Sequence, residues 1–564
     1  MNHTIDRGRY PATAPLADAR TLSHGMLALL LAALAVVWFG SLGMRSLIGP
    51  DEGRYASIAW EMMRSGDWIT PRLNGLLYFE KPPMQYWLSA VFLHLFGLNE
   101  FAARLWPALA GFLTVLAVGA TAWRLWGRET GIRSLAVAAS MTWVFGNAHF
   151  LTLDAGLTLF LTIALCAVLV AENVAATPAV RRNWIWLAWA AMAGAVLSKG
   201  LVGIVIPGAT LVLTCLWRRD FGPWRRMHWA SGLLIFLLLA APWFVLVSMR
   251  NPTFAQFFFI HEHFARYLTK VHQRQGAWWY YLPLLLGGML PWTSALPWLG
   301  PRRASDAPPR SVAPADFLFV HAAFILLFFS ASGSKLPSYI LPMFPALALL
   351  IGLRLQQASP RVLRRHLLVP ILLWSVALVA STQSARVASY STPAEIFAQL
   401  GAGIRWGAAI FLAFAAFAWW ALRRRGVTLA VVSLAFGHLI GITIVMAAHD
   451  AYGQLKSAAP FVSALKPVLA SGAPMFAVRI YDQTLPFYLQ REVVLVDYQD
   501  EFAMGQVLEP GRSLDSLDAF ASRWQALPQA AAYMDFPSFV EMRQRGLPMR
   551  VIFQDQRRVV VARQ

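Results

Sequence analysis

Apolar runs of roughly bilayer length recur along almost the whole chain, separated by short polar connections. Of the 564 residues, 58% are hydrophobic and only 13% are charged, whereas soluble proteins carry about 25% charged residues. The pattern predicts an all-α polytopic membrane protein with about thirteen transmembrane helices. The runs lie at residues 26–42, 105–122, 134–150, 155–171, 184–198, 200–217, 230–248, 278–299, 317–331, 338–353, 367–381, 406–422 and 427–447.

Arginine clusters follow every second run, and the positive-inside bias places these clusters in the cytoplasm. Residues 1–24 then form a cytoplasmic tail, and residues 25–448 form a transmembrane domain whose loops 45–104 and 249–277 are periplasmic. The apolar segment from Pro83 to Phe96 is too short to cross and would break the alternation, so we expect an interfacial helix there. The net charge of +20 is explained by these loops, and nothing in the sequence favours nucleic-acid binding.

Residues 449–564 have a different pattern, which predicts a small periplasmic α/β domain. The pattern of apolar residues indicates two strands, an amphipathic helix and a closing hairpin. These lie at Met475–Tyr481, Glu492–Tyr498, Leu514–Leu527 and Met549–Ala562, respectively.

Charged residues are almost absent from the middle of the apolar runs, where a transporter would need them. They gather instead at the ends that the charge bias places outside. This distribution favours a reaction at the membrane surface between lipid-bound substrates. The residues concerned are Asp51, Glu52, Arg54, Glu80, Lys81, Asp154, Lys199, His261, Glu262, His263, Arg266 and Lys335.

Two carboxylates, Asp51 and Glu52, follow Gly-Pro at the start of a predicted helix over 54–64. They are candidates for acid, base or metal chemistry, although a helix N-terminus also favours acidic residues for its own stability. Farther along this loop, a diproline places Glu80 and Lys81 at the lipid boundary, where Lys81 would bind phosphate or anchor the loop.

Loop 249–277 contains two histidines around an acid, His261 and His263, followed by Arg266. Together with Glu80, His261 is a candidate ligand of one divalent metal ion, but the two-residue spacing of the histidines is a weak metal signal. A guanidinium matches phosphate oxygens, so Arg266 is a candidate for phosphate binding, with lipid headgroups as the alternative ligand.

A third polar segment lies between two runs at residues 332–342. Glycine and proline shape a tight turn, and Lys335 and Tyr339 add a cation and a hydroxyl that a simple turn does not need. Asp154, at the start of another run, is either part of the same polar surface or an ordinary helix N-cap.

Four segments, in this order, resemble the bacterial aminoarabinose transferases of lipid A. These enzymes belong to the GT-C class of polyprenyl-phosphate-dependent glycosyltransferases, which includes the protein O-mannosyltransferases. The segments are Asp-Glu-Gly-Arg-Tyr-Ala at 51–56, Tyr-Phe-Glu-Lys-Pro-Pro at 78–83, His-x-x-x-x-Arg at 261–266 and Gly-Ser-Lys-Leu-Pro-Ser-Tyr-Ile-Leu-Pro at 333–342.

The resemblance implies an inverting transfer of 4-amino-4-deoxy-L-arabinose from undecaprenyl phosphate to a lipid A phosphate, at the periplasmic face of the bacterial inner membrane. Such a transfer lowers the negative surface charge and gives resistance to polymyxin and cationic peptides. The resemblance implies no nucleotide cofactor, in agreement with the lack of a glycine-rich nucleotide fingerprint. It implies catalytic roles for Asp51, Glu52 and Asp154, and binding of the donor and its phosphate by Arg54, Tyr55, Tyr78, Lys81, Arg266, Lys335 and Tyr339.

Three other functions are also compatible with the sequence. A protein or glycan mannosyltransferase would use the same kind of carrier, but the segments at 78–83 and 335–342 favour the lipid A enzymes. A lipid transporter would need charges at mid-bilayer depth. A scaffold without chemistry would not depend on Asp51.

Overall fold

The computed structural model describes residues 23–173, 177–265, 276–300 and 312–563, and for residues 261–265 it describes the backbone alone. Most of this part of the chain is helical. Its α-helices are α1 His24–Gly40, α2 Asp51–Ser65, α3 Met84–Phe96, α4 Glu100–Trp126, α5 Arg128–Ser140, α6 Thr142–Ala148, α7 Asp154–Asn173, α8 Pro178–Lys199, α9 Val202–Arg218, α10 Gly222–Arg225, α11 Trp229–Arg250, α12 Tyr281–Gly288, α13 Pro314–Ala331, α14 Phe344–Leu355, α15 Pro360–Ala380, α16 Ala394–Arg424, α17 Val427–Ala448, α18 Asp450–Gly453, α19 Ala459–Leu469, α20 Leu485–Leu489, α21 Ala503–Leu508, α22 Leu517–Ala526 and α23 Phe536–Gln544.

The remaining elements are short helical turns and strands. A π-helix spans Gln256–Ala265, and 3-10 turns span Thr293–Trp298, Pro337–Met343, Ser381–Val387, Gln454–Lys456 and Asp500–Phe502. The strands are β1 Arg72–Leu73, β2 Leu76–Leu77, β3 Met475–Val478, β4 Val494–Val496, β5 Ser513–Leu514, β6 Ala531–Met534, β7 Met549–Gln554 and β8 Val559–Arg563.

Eight helical segments in the described chain are long and apolar enough to cross a membrane, so the predicted count of about thirteen is not confirmed. Two predicted spans are interrupted. The run at 134–150 is divided into α5 and α6, and the run at 278–299 is divided into α12 and a 3-10 turn. Pro291 explains the second interruption, since proline lacks the backbone N–H that a helix needs. The two breaks meet where Thr142 N donates to Leu290 O at 3.0 Å.

The predicted helix over 54–64 is confirmed as α2, which begins three residues earlier. Asp51 and Glu52 occupy its first turn, where the helix dipole stabilises negative charge. It ends at Gly66, whose φ of 71° forms a left-handed cap that suits glycine. The segment 83–96 is also helical, as α3, and packs against α2 and α4. Its position relative to the bilayer stays a prediction.

The predicted C-terminal strands, helix and hairpin are confirmed. In the described residues they form a six-stranded sheet in the order β5-β4-β3-β6-β8-β7. The strands β5, β4, β3 and β6 are parallel, whereas β8 and β7 pair antiparallel at the edge. All four residues of β3 are buried because both faces of the sheet are covered.

One face of this sheet shares an apolar core with α2 and α3. Met475 and Ala477 of β3 pack in a cluster with Tyr55 and Ile58 of α2, while Phe476 and its neighbours face the second layer of helices. The alternation follows from the two-residue period of a strand. The C-terminal domain is therefore packed directly onto the helix that begins with the two carboxylates.

Candidate active site

The adjacent carboxylates of Asp51 and Glu52 have different environments. The Asp51 side chain is 48% exposed, whereas Glu52 is 2% exposed. Successive helical residues point about 100° apart, so one can face solvent while the other packs inward. Asp51 is therefore the carboxylate that a substrate can reach.

Glu52 joins α2 to α4 and to the loop before α7. Its Oε1 and Oε2 accept from Nε and Nη2 of Arg104 at 2.7 and 2.8 Å, and the backbone N–H groups of Ile48 and Leu151 donate to it at 3.1 Å. Burial alone would raise the pKa of Glu52, but the charge and hydrogen bonds of Arg104 outweigh it and hold that pKa below its usual value. These four donors leave Glu52 as a buried structural anion.

Arg54 lies one helical turn after Asp51 and contacts two carboxylates. Its Nη1 donates to Asp51 Oδ1 at 2.9 Å, and its Nη2 donates to Glu501 of the C-terminal domain. Glu501 also accepts a hydrogen bond from Gln483 Nε2 at 3.2 Å. Burial raises the pKa of Glu501 even though the charge of Arg54 acts in the opposite direction. The Arg54 guanidinium thus connects α2 to the C-terminal domain.

Three buried tyrosines surround this arginine. Tyr55, Tyr78 and Tyr86 each have a pKa raised well above the usual range, with burial as the main cause. Within the described part of the chain, the hydroxyls of Tyr78 and Tyr86 have no hydrogen-bond partner. Buried hydroxyls without a partner are rare, so these two have free capacity to bind a polar ligand.

Glu80 and Lys81 interact with each other. Lys81 Nζ lies 3.7 Å from Glu80 Oε2 and donates to the Glu80 carbonyl at 2.8 Å. No group of three or more potential metal ligands forms among the described residues. A metal on Glu80 would have the Lys81 ammonium as a neighbour and would have to compete with it for this carboxylate. The side chain of His261 and all of Arg266 lie outside the described residues.

Asp154, Lys199 and Tyr339 form a second polar group. Asp154 begins α7, Lys199 ends α8, and Tyr339 lies in the 3-10 turn Pro337–Met343. Lys199 donates to Asp154 Oδ1, and its ammonium lies 4.7 Å from the centre of the Tyr339 ring. Asp154 is 4% exposed. Any cation that binds Asp154 must therefore share this carboxylate with Lys199.

Lys335 belongs to the same region, and its ammonium contacts the end of α13. It donates to the carbonyls of Ser330 at 2.8 Å, Ser332 at 2.9 Å and Phe329 at 3.4 Å. Burial lowers its pKa. A lysine at this position compensates the terminal carbonyls of the helix and the negative end of its dipole. A phosphate would have to compete with these carbonyls for Lys335.

Sequence reasoning missed two residues of this site, Arg104 and Glu501. A charged residue at the edge of the apolar run 105–122 was a usable signal for Arg104. The sequence around Glu501 has no comparable signal, because Asp500 and Glu501 resemble any solvated acidic pair. Only the fold brings Glu501 to α2.

Comparisons with known proteins identify relatives for both parts of the chain. Residues 461–563 match the model of the aminoarabinose transferase C-terminal domain, and residues 20–258 match that of the dolichyl-phosphate-mannose-protein mannosyltransferases. The crystal structure of ArnT from Cupriavidus metallidurans bound to undecaprenyl phosphate is 39% identical, with a TM-score of 0.91, over 96% of this chain and 98% of that one.

Curated relatives have consistent names. The undecaprenyl phosphate-alpha-4-amino-4-deoxy-L-arabinose arabinosyl transferase of Pseudomonas paraeruginosa is 34% identical over 390 residues, which cover 68% of this chain and 70% of the relative. The enzyme of the same name from Erwinia tasmaniensis is 33% identical over 350 residues. These cover 61% of this chain and 63% of the relative, which is slightly less than two thirds of its length. The likeness therefore includes both the multi-pass membrane part and the C-terminal domain.

Proposed function

Because this chain belongs to the family of undecaprenyl phosphate-aminoarabinose arabinosyl transferases, we propose that it transfers 4-amino-4-deoxy-L-arabinose from undecaprenyl phosphate to a phosphate of lipid A. The observation that supports this proposal most is the likeness to ArnT over 96% of the chain. The modification adds an amine to an anionic lipid, so it would lower the surface charge and weaken the binding of polymyxin and cationic peptides.

The reaction replaces one phosphate oxygen on the sugar with another. The bond between the anomeric carbon and the carrier phosphate breaks, and its electron pair stays on the carrier oxygen. An oxygen of the lipid A phosphate bonds to the same carbon from the opposite face, so the configuration inverts. Positive charge develops on the sugar and negative charge on the leaving phosphate, and preorganised groups of opposite charge lower the barrier.

Asp51 is the proposed catalytic carboxylate because it is accessible and its neighbour Glu52 is not. The lipid A phosphate is already an anion, so Asp51 need not remove a proton from it. We assign Asp51 to orienting the acceptor and stabilising the cationic sugar carbon. Glu52 supports the geometry of the site through Arg104.

The leaving phosphate needs cations, and Lys81 and Arg266 are the proposed pair. Tyr78 is retained as a proposed donor-binding residue, but its hydroxyl, like that of Tyr86, is buried and would have to become accessible before it could bind the sugar hydroxyls. The 4-amino group is a cation near neutral pH, so we place it near Asp154, where it would compete with Lys199. A divalent ion at Glu80 and His261 stays a prediction, and the proposed transfer does not depend on it.

We place the protein in the bacterial inner membrane with its N-terminus in the cytoplasm and its C-terminal domain in the periplasm. The arginine-rich connections support this orientation. An alkaline phosphatase fused after residue 564 should be active, and one fused at residue 310 should be inactive. The reverse result would invert the topology.

The test of function is the mass spectrum of lipid A from a host that makes carrier-linked aminoarabinose but lacks its own transferase. The wild-type protein should add a pentosamine-sized increment, and an equally abundant Asp51→Asn variant should not. No increment from well-expressed wild type would refute the lipid A acceptor and direct the search to protein or glycan acceptors. An increment from both proteins would keep the function and remove Asp51 from its centre.

A further inference from the structure

The C-terminal domain presents one particular edge of its sheet to α2. The loops after β3 and β4, residues 479–484 and 497–502, both follow the carboxyl ends of parallel strands. In parallel sheets this edge is the usual place for ligand binding, because the loops diverge there and expose backbone and side-chain polar groups. Here both loops contact α2.

The first loop contacts the backbone of α2 closely. Ser57 Oγ donates to the Gln483 carbonyl at 3.0 Å. A Cβ added to Gly53 would lie 2.5 Å from Thr484 N, so the loop approaches α2 as closely as a glycine permits. The second loop then reaches the same helix through the ion pair of Glu501 and Arg54.

From this geometry we infer that Glu501 is a positioning residue for Asp51 and acts through the guanidinium of Arg54. The two terminal nitrogens of Arg54 contact different carboxylates, Nη1 that of Asp51 at 2.9 Å and Nη2 that of Glu501. The inference rests on the proposed function, in which Asp51 faces the substrates. It makes the C-terminal domain a structural part of the active site.

The planar guanidinium explains why a second carboxylate matters. A guanidinium can bind one carboxylate through two parallel hydrogen bonds. Without Glu501, Arg54 is free to bind both oxygens of Asp51 and to neutralise it. Both edges of a guanidinium that can bind a carboxylate through two nitrogens include Nη2. Glu501 occupies Nη2, so Asp51 contacts Nη1 alone, and its second oxygen is left for the substrate. The remaining nitrogen, Nε, is buried and has no hydrogen-bond partner among the described residues.

A matched control exists on the same helix and the same domain. Arg64 of α2 forms an ion pair with Glu492 of the C-terminal domain at 2.7 Å, but this pair is half-exposed and lies away from Asp51. Glu492→Gln therefore removes an interdomain ion pair of α2 without touching the proposed catalytic group. Glu501→Gln removes the charge of the pair under test and keeps the size of the side chain.

The experiment measures kcat and KM for aminoarabinose transfer to lipid A in detergent micelles by the wild type and both variants. We expect Glu501→Gln to lower kcat by about 10- to 100-fold, the effect of a small misplacement of a catalytic group, with KM unchanged. Glu492→Gln should keep the wild-type kcat. An unchanged kcat in Glu501→Gln, or equal losses in both variants, would overturn the positioning role.

A melting-temperature cycle separates this inference from the proposed function. It compares Glu501→Gln, Arg54→Gln and the double variant, and residues in direct contact should give non-additive shifts. Additive shifts would refute the coupling between Glu501 and Arg54. If the wild-type protein has no transfer activity, both the proposed function and the positioning role are refuted. The melting-temperature cycle would still show whether the side chains of Glu501 and Arg54 are coupled.

Discussion

Arg104 donates two parallel hydrogen bonds to Glu52, and both side chains are buried at the junction of α2 and α4. Breaking such a pair leaves an uncompensated charge in the interior. We expect Glu52→Gln to destabilise the protein by about 3–5 kcal/mol, seen as a clearly lower melting temperature in detergent.

The half-exposed pair of Glu492 and Arg64 is the control for this prediction. Water screens such a pair, so Glu492→Gln should cost no more than about 1 kcal/mol. Equal melting temperatures of the Glu52→Gln variant and the wild type would show that the buried pair is not a structural element.

Gly53 is expected to tolerate no side chain, because the backbone of Gln483 and Thr484 occupies the space of its Cβ. We predict that Gly53→Ala separates the C-terminal domain from α2 at a cost of about 1–3 kcal/mol. Limited proteolysis should then cut the chain near residue 450 faster than in the wild type.

Gly146 is a suitable comparison, since it lies in α6 with nothing within 4 Å of an added Cβ. Alanine at this position should be neutral or slightly stabilising. If both variants resist protease equally, the close approach at Gly53 does not control docking of the domain.

Glu61 gives the stability of the protein a pH dependence. It is buried, its Oε2 accepts from Gly75 N at 2.9 Å, and burial raises its pKa from 4.5 to about 8, with the charge of Glu492 adding to the rise and that of Arg64 opposing it. The folded protein therefore binds this proton more strongly than the unfolded chain. Stability should fall as the pH rises from about 4.5 to about 8.

The measurement is the melting temperature at pH 5.5 and pH 8.5. Glu61→Gln should reduce the difference between the two values, since glutamine does not titrate. Asp518→Asn, at a side chain that is 87% exposed, should leave the difference as in the wild type. The same difference in the wild type and the Glu61→Gln variant would assign the pH effect to other groups.

The pair of Asp154 and Lys199 is expected to behave as one unit. Lys199→Met leaves a buried carboxylate without its cation and should lower the melting temperature strongly. Adding Asp154→Asn should restore part of the loss, because the uncompensated charge is then removed. A further loss in the double variant would mean that Asp154 has other partners that matter more than Lys199.

The local pattern of the sequence was sufficient to predict most of the helices and strands. Most apolar runs became helices, and the short apolar runs around Met475 and Val494 became buried strands, because each element depends on neighbours only a few positions away. The motif around Asp51 and the segment at 78–83 also indicated the family, since both are contiguous in the chain. Local pattern did not reveal that Pro291 interrupts a span.

The roles of the polar residues depended on the tertiary structure. Asp51 and Glu52 are neighbours in sequence, yet only packing against α4 decided that Glu52 is buried and that Asp51 stays accessible. Glu501 contacts Arg54 although the two residues are 447 positions apart in the sequence. Lys335 donates hydrogen bonds to carbonyls that only the folded turn brings near. Helix and strand formation are governed by the short-range periodicity of the sequence. The partner of a charged side chain depends instead on which elements pack together. Burial of the apolar cores, and not the charged residues themselves, determines that packing.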